Sequence, residues 1–399
     1  MAEPKFHESD FELPPDHVLR RWQRPALGAG GIALGASLLG AILWPTEFYQ
    51  AWLVAFLYWL GASLGSLAIL SLQHITGGRW GATIRRPLEA AAGTIPLMAL
   101  FFVPIVIGLP ILYEWARPDV VAHDPILQAK AFYLNKPFFI GRAVFYFAVW
   151  SLLARQLIRW SSQEDEDGHS PRRAGRVYSA SIAGLILYIL TLTFASIDWG
   201  MSLTPHWYSH IYGLVFAIGQ VTTAMTMMIM ATAMFADTFP MSKVATPERF
   251  HDLGKLLFAF VMVWGYFHVS QFLIIWSADL PEEVTWYIDR TAGGWKQLVI
   301  CVVVLEFVIP FALLLSRSLK RNKTALVRVA AVLLLARYLD IYWWIMPSFS
   351  PGHITIHPLH LATLIGIGGV WVWAFLTNLS ARPVLAFNDP GVAWELEKA

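Results

Sequence analysis

Long apolar stretches separated by short polar segments occupy most of the chain. A bilayer core of about 30 Å needs about 20 apolar residues in one helix. Ten stretches have that length: 25–44, 48–73, 88–109, 137–158, 177–197, 207–236, 253–276, 295–316, 325–346 and 356–379. The sequence therefore predicts an all-α integral membrane protein with ten transmembrane helices in residues 25–380. The remaining residues, 1–24 and 381–399, are predicted to be polar tails.

Composition excludes several classes of protein. Of the 399 residues, 57% are hydrophobic and only 14% are charged, whereas soluble domains carry about 25% charged residues. This excludes a water-soluble enzyme and a disordered chain, and a net charge of +2 is too small for a nucleic-acid-binding protein. The single cysteine, Cys301, excludes a disulfide framework and any zinc site or iron–sulfur cluster held by several cysteines of this chain.

The distribution of basic residues predicts the orientation. Lysine and arginine are several-fold more frequent on the side of the N-terminus than on the opposite side, which places both tails in the cytoplasm. The first 24 residues lack a basic segment leading into a short apolar core, so they indicate a cytoplasmic tail rather than a cleavable signal peptide. Two longer outer loops, 110–136 and 277–294, are either partner-docking surfaces or solvated connections.

Three ionisable residues fall near the middle of predicted spans. They are Glu306 in 295–316, and Arg337 and Asp340 in 325–346. A charge at this depth is costly unless it is paired or hydrated, and residues three apart share a helix face. We expect a buried cluster of the three, which is either an internally neutralised clamp between helices or a proton-relay or quinone-facing group.

Four further polar candidates lie in or directly before the predicted helix 253–276. His268 and Gln271 share one face, where they either form interhelical hydrogen bonds or act directly in function. Lys255 and Asp252 lie at the cytoplasmic start, where a lysine commonly extends to the membrane surface.

The segment 194–213 combines Asp198 with His206 and His210, which are predicted to begin a helix at positions i and i+4. Such histidines could form a proton-exchanging group with Asp198 at the outer surface, or belong to an ordinary aromatic belt. A metal needs at least a third ligand, so no metal site is predicted. Haem would need facing histidines on different helices, and none is predicted.

Two segments resemble a known family. SIDWGMSLTPHWYSHIYG (196–213) and HDLGKLLFAFVMVWGYFHVSQFLIIWSADLPEEVTWYIDR (251–290) are similar to the ActF subunit of alternative complex III, as is the segment Arg337–Asp340 with the WWIMP that follows. That subunit belongs to the NrfD/PsrC-like integral membrane proteins. The resemblance is specific from about 190 to 350.

The resemblance implies a fold and an assembly. It implies ten helices, arranged as two four-helix bundles plus two further helices, in the bacterial plasma membrane. It implies a subunit of a respiratory or photosynthetic quinol:electron-acceptor oxidoreductase that supports quinol oxidation and proton conduction and is not catalytic alone. The implied partners are a homologous NrfD-like membrane subunit, a peripheral iron–sulfur subunit and c-type cytochrome subunits. The iron–sulfur clusters and haem c would lie in those partners and not in this chain, and whether this chain binds a quinol stays open.

Individual residues also match the family pattern. Asp198 and His206 match its first segment, Asp252, Lys255 and Gln271 match its second, and His210 and His268 depart from it. The candidates for a proton path are Glu306, Arg337, Asp340, His268, Gln271, Asp252, Lys255, Asp198 and His206. Two alternatives are a secondary transporter, for which no matched halves are found in the sequence, and a purely structural scaffold subunit.

Overall fold

The computed structural model describes residues 11–14, 16–386, 388 and 392. Within these ranges the chain is helical and contains no strand. The main helices are α1 (Val18–Leu43), α2 (Pro45–Thr76), α3 (Arg85–Ile107), α4 (Lys136–Asp167), α5 (Pro171–Trp199), α6 (Tyr212–Phe235), α7 (Pro247–Ala278), α8 (Pro281–Thr291), α9 (Trp295–Leu315), α10 (Lys323–Ile345) and α11 (Pro358–Ser380). Shorter helices lie in the connections at Leu109–Leu112, Pro118–His123, Pro125–Lys130, Met241–Val244 and Arg317–Arg321.

Nine of the helices in the described part of the chain are long and apolar enough to cross a membrane, namely all of the main helices except α8 and α10. Large apolar side chains such as Ile32 and Ile42 are more than three-quarters exposed on the surface of the helix assembly, as expected where lipid is the solvent. The chain is therefore a membrane protein. The remaining predicted span, 325–346, which is the ninth in chain order, is the helix α10, which has sufficient length but carries Arg328, Arg337 and Asp340.

The predicted ends of several elements need correction. Helix α1 begins at Val18, so residues 18–24 of the predicted tail are helical. Helix α6 begins at Tyr212 and not at 207, so His206 and His210 lie in the preceding turn and not one helical turn apart. The outer segment 277–294 is largely the helix α8. Most of the predicted tail 381–399, like residues 1–10, lies outside the described residues.

Helices α2 and α6 form the centre of the molecule. Nearly all of α2 is buried, which suits a sequence that is apolar on every face. A Cβ atom added to Gly65 of α2 would lie 2.0 Å from the carbonyl oxygen of Gln220 in α6. Gly61 and Gly65 form a GxxxG pattern, and small residues at this spacing let two membrane helices approach closely.

The other helices surround this central pair. Helix α6 also packs against α5, α7 and α10, and α2 also packs against α3, α5 and α11. Helix α1 lies along α11. The two ends of the described chain meet, because the backbone N–H of Val384 donates to the carbonyl of Phe11 over 2.8 Å. Both ends therefore lie on the same side of the helices.

A candidate proton-relay cluster

The predicted cluster of Glu306, Arg337 and Asp340 is present in the structure. Arg337 Nη1 donates to Glu306 Oε1 over 2.7 Å and also to an oxygen of Asp340. Glu306 is 0% exposed and Arg337 is 4% exposed. At 1.5 Å per residue Glu306 lies about 16 Å along α9, close to the middle of a bilayer core of about 30 Å. A single guanidinium therefore joins two carboxylates at mid-membrane depth.

A local widening of α9 positions Glu306. Residues Val304–Val308 form one π-helical turn, in which the N–H of Ile309 bonds to the carbonyl of Val304. Pro310 explains this turn, because proline has no N–H and its ring would clash with the carbonyl of the fourth residue before it, here Glu306. Such turns occur frequently at functional sites.

His268 extends the cluster from α7. Its Nδ1 lies 2.9 Å from the carbonyl of Trp264, and the indole N–H of Trp344 donates to its Nε2 over 3.3 Å. These contacts assign the neutral form of the imidazole with the proton on Nδ1. The same Nε2 lies 3.7 Å from Asp340 Oδ1. Nε2 carries no proton in this form, so the imidazole can donate to this carboxylate only after Nε2 takes up a proton.

The cluster has oxygen atoms that can bind a further proton. Among the residues that the structure describes, Glu306 Oε2 and Asp340 Oδ1 have no hydrogen-bond partner. With Arg337 charged and both carboxylates ionised, the three groups carry one negative charge in excess. Because an uncompensated charge at this depth is costly, taking up one proton makes the cluster neutral. The arrangement can therefore hold and release a proton.

A pocket of about 280 Å³ connects His268 and Asp340 to the outer face of the helices. It lies between α7 and α9, and most of its lining is apolar. Val269, Phe272 and Val303 at its edge are exposed, so the pocket opens toward lipid. Its volume is near the lower end of the usual range for small-molecule sites, about 300 Å³.

Close packing fixes the guanidinium of Arg337. A Cβ atom added to Gly219 of α6 would lie 2.0 Å from Arg337 Nη2. We expect Gly219→Ala to displace Arg337 from its carboxylates and to lower the free energy of unfolding by about 1–3 kcal/mol, the usual cost of overpacking. Thermal unfolding in detergent measures this effect.

Gly35→Ala is the matched control, since a Cβ atom there meets nothing within 4 Å and the site is an exposed position of α1. In this variant the free energy of unfolding should stay equal or rise slightly. Equal stability of the two variants would contradict the close packing of Arg337 against α6.

Asp198 lies in a different site from the one predicted. It is buried and makes a two-pronged pair with Arg142 of α4, over 2.9 Å to Nε and 2.8 Å to Nη2. The hydroxyl of Tyr146 also donates to it. His206 instead lies 2.7 Å from Asp124 in the outer loop. The expected grouping of Asp198 with His206 and His210 at the surface is therefore wrong, because Arg142 occupies the carboxylate.

Backbone contacts control the charge of Asp124. Desolvation acts to raise its pKa, but hydrogen bonds from the N–H groups of Leu127 and Ile126 outweigh it, and the pKa of Asp124 lies below its usual value. The neighbouring His206 acts in the same direction. Asp124 is therefore a stable anion that holds the histidine in the turn before α6.

The other predicted path residues lie apart from the cluster. Asp252 pairs with Lys255 over 3.0 Å and with Arg249 near the start of α7, and Lys255 is exposed, as expected for a lysine at the membrane surface. Gln271 is buried, and neither polar atom of its amide has a partner among the described residues. It lines a separate pocket of about 130 Å³ with Tyr208 and His210.

Sequence reasoning missed a second buried ion network at the opposite end of the helices. Glu89 of α3 accepts from Arg85 over 3.2 Å and from Arg86 over 2.7 Å. Arg85 also reaches Glu164 of α4, and Arg86 reaches Asp165. The sequence contains a signal for this network, because glutamate follows the two arginines at helical spacing, but the predicted span begins only at residue 88 and leaves the arginines in a connection.

A buried arginine that has no carboxylate partner among the described residues attaches α8 to the helix ends. Arg290 donates to the carbonyl of Trp344 over 3.0 Å and to the hydroxyl of Ser348, and it stacks on Trp286 at 3.7 Å. Burial lowers the pKa of Arg290 to about 9, which still leaves it charged at neutral pH. Trp286 also stacks on Trp207, and Tyr287 and Thr291 of α8 line the pocket that contains His268 and Asp340.

No metal-ligand set is found in the described part of the chain, where no three histidine, cysteine, aspartate or glutamate side chains converge. No protein-family model matches the chain, and no curated protein matches it either. The resemblance to the ActF subunit therefore stays a prediction.

Proposed function

We propose that this chain is an integral membrane subunit of a bacterial quinol:electron-acceptor oxidoreductase of the alternative complex III type, and that its buried cluster conducts protons there. The observation that carries the proposal is the cluster itself: two carboxylates share Arg337, and Glu306, in a π-helical turn, keeps one oxygen that has no partner in the part of the chain that the structure describes. Oxidation of a quinol releases protons, and a group that alternates between two protonation states can carry them.

The geometry favours a relay over a plain clamp. A clamp needs one carboxylate for one arginine, but this cluster has a second carboxylate and a histidine within 3.7 Å of Asp340. Extra ionisable groups at this depth are a cost unless they act in function. In the proposed relay a proton passes between His268 Nε2 and Asp340 Oδ1, and Glu306 stores it on the other side of Arg337.

The architecture of the proposed subunit has ten crossings, with α10 as the ninth and α11 as the tenth. The meeting of Phe11 and Val384 supports an even number, because an odd number would separate the two ends. Helix α10 is about 34 Å long at 1.5 Å per residue, and its buried Arg337 and Asp340 pair with each other. The basic side of the helices is proposed to face the cytoplasm, with both tails there.

The packing of the helices also suits the proposed two bundles. Helices α2 to α5 contact one another, as do α6, α7, α9 and α10, and α1 pairs with α11 outside both sets. In this proposal the outer surface formed by α8 and the loop 110–136 seats an iron–sulfur subunit and c-type cytochromes, beside a homologous membrane subunit. Those partners would supply the clusters and haem c.

A second candidate function, quinol binding by this chain, is favoured by the pocket between α7 and α9. It is open toward lipid, mostly apolar, and ends at His268 and Asp340. A quinol ring entering from the membrane would place one hydroxyl within reach of groups that accept a proton.

Purification of the tagged full-length chain from its native membrane in mild detergent tests the proposal. We expect c-type haem in redox difference spectra, iron–sulfur and NrfD-like subunits by mass spectrometry, and quinol oxidation by the purified assembly. A stable, colourless, lone protein would contradict it. Substrate uptake by that lone protein in liposomes would then support the secondary transporter.

A further inference from the structure

A cavity of about 650 Å³ lies on the side of the molecule away from the proposed relay. It is formed where the ends of α4 and α11 meet the beginning of α3. Ala92, Pro96, Leu152 and Leu379 line its apolar part. Its polar part is lined by Arg86, Glu89, Arg155, Arg159, Asn378 and Arg382. The cavity therefore has an apolar section and a cationic section.

The cationic section lies at the depth of a membrane surface. Helix α4 begins at Lys136 near the opposite side, and Arg155 and Arg159 follow about 28 and 34 Å further along it at 1.5 Å per residue. The apolar core of a bilayer is about 30 Å thick. Lipid headgroups therefore lie at the level of these two arginines, and acyl chains lie at the level of Leu152 and Pro96.

Charge in the cavity is unbalanced. Arg155 and Arg159 are exposed, lie four residues apart on one helix face, and have no carboxylate partner among the residues described here. Like charges at this spacing repel each other. Arg86 is 2% exposed, and its Nε has no partner in the described part of the chain. Glu89 is the one acidic residue among the described lining residues; it pairs with Arg86 and lies 4.0 Å from Arg382, so the excess of positive charge comes from Arg155 and Arg159.

We propose that this cavity binds one anionic phospholipid, with its phosphate between Arg155, Arg159 and Arg382 and an acyl chain along Leu152 and Pro96. The excess of positive charge selects an anionic headgroup over a zwitterionic one, and basic pockets between membrane helices on the cytoplasmic side suit such headgroups. The lipid would join α3, α4 and α11. This inference does not depend on the proposed redox function.

The test measures thermal unfolding of the delipidated full chain in detergent, with phosphatidylglycerol or phosphatidylcholine added. We expect phosphatidylglycerol to raise the unfolding temperature and phosphatidylcholine to have little effect. The variant R155Q/R159Q should lose the shift. The variant R172Q/R176Q should keep it, because these two exposed arginines have the same spacing on α5 but do not line the cavity.

Four outcomes would overturn the proposal. An equal shift with phosphatidylcholine would show lipid binding without charge selection, and an equal shift with inorganic phosphate would show a simple anion site. A full shift in R155Q/R159Q would place the lipid elsewhere. If that variant does not fold, R382Q serves instead, and phospholipid retained through purification is quantified by mass spectrometry. Retention equal to that of the unmodified chain would likewise overturn the proposal.

Discussion

Glu306→Gln is expected to lower the number of protons translocated per electron while quinol oxidation continues. Glutamine has nearly the size of glutamate and keeps an oxygen that accepts from Arg337 Nη1, so the packing around the π-helical turn is retained. The remaining pair of Arg337 and Asp340 is neutral and lacks the group that is proposed to store the extra proton. Proton release and electron transfer by the assembly in liposomes give the ratio.

Glu248→Gln is the matched control for this experiment. Glu248 also pairs with an arginine, Arg321, but it lies exposed at the beginning of α7. Its replacement should leave the ratio unchanged. If Glu306→Gln also leaves the ratio and the turnover unchanged, Glu306 is not part of a proton path.

Arg337→Leu is expected to have the largest effect on stability. It would leave Glu306 and Asp340 as buried carboxylates without their counter-ion, and breaking a buried pair in this way costs about 3–5 kcal/mol. We expect a large fall in the thermal stability of the chain and in the amount of assembled complex, both measurable in the same detergent extract. Arg337→Lys should also be less stable than the unmodified chain, because lysine lacks the planar guanidinium group that contacts two carboxylates at once.

Combining the substitutions separates the effect of the buried charges on stability from the effect of side-chain packing. In the triple variant E306Q/R337L/D340N the unpaired charges are gone, so it should be more stable than Arg337→Leu alone. Equal stability of the two would show that the side chain of Arg337 acts by packing. A scaffold role predicts that whatever complex still assembles in E306Q/R337L/D340N turns over and translocates protons normally.

The central part of the candidate site could be predicted from the sequence. Arg337 and Asp340 are three apart in an apolar stretch, and Glu306 lies at the same depth of the preceding stretch, so burial forces the three together. The π-helical turn could not be predicted in detail, although Pro310 four residues after Glu306 indicates a distortion. The roles of these residues in proton transfer stay predictions.

Ion pairs between residues far apart in the chain could not be predicted in the same way. Arg142 and Asp198 are separated by 56 positions, and nothing in the local pattern indicates that α4 and α5 bring them together. His206 and Asp124 meet only because the outer loop folds back over the turn before α6. Helix α10 was predictable as a span from its length and its place in the series of apolar stretches, although its buried charges make it less apolar than the other spans.

Infrared difference spectroscopy of the assembled complex tests most directly whether the cluster exchanges a proton during turnover. The spectrum between quinol-reduced and oxidised states should contain the carbonyl stretching band of a protonated carboxylic acid. This band should shift in deuterated water, disappear in Glu306→Gln and remain in Glu248→Gln. A spectrum of Glu306→Gln identical to that of the unmodified complex would contradict the account.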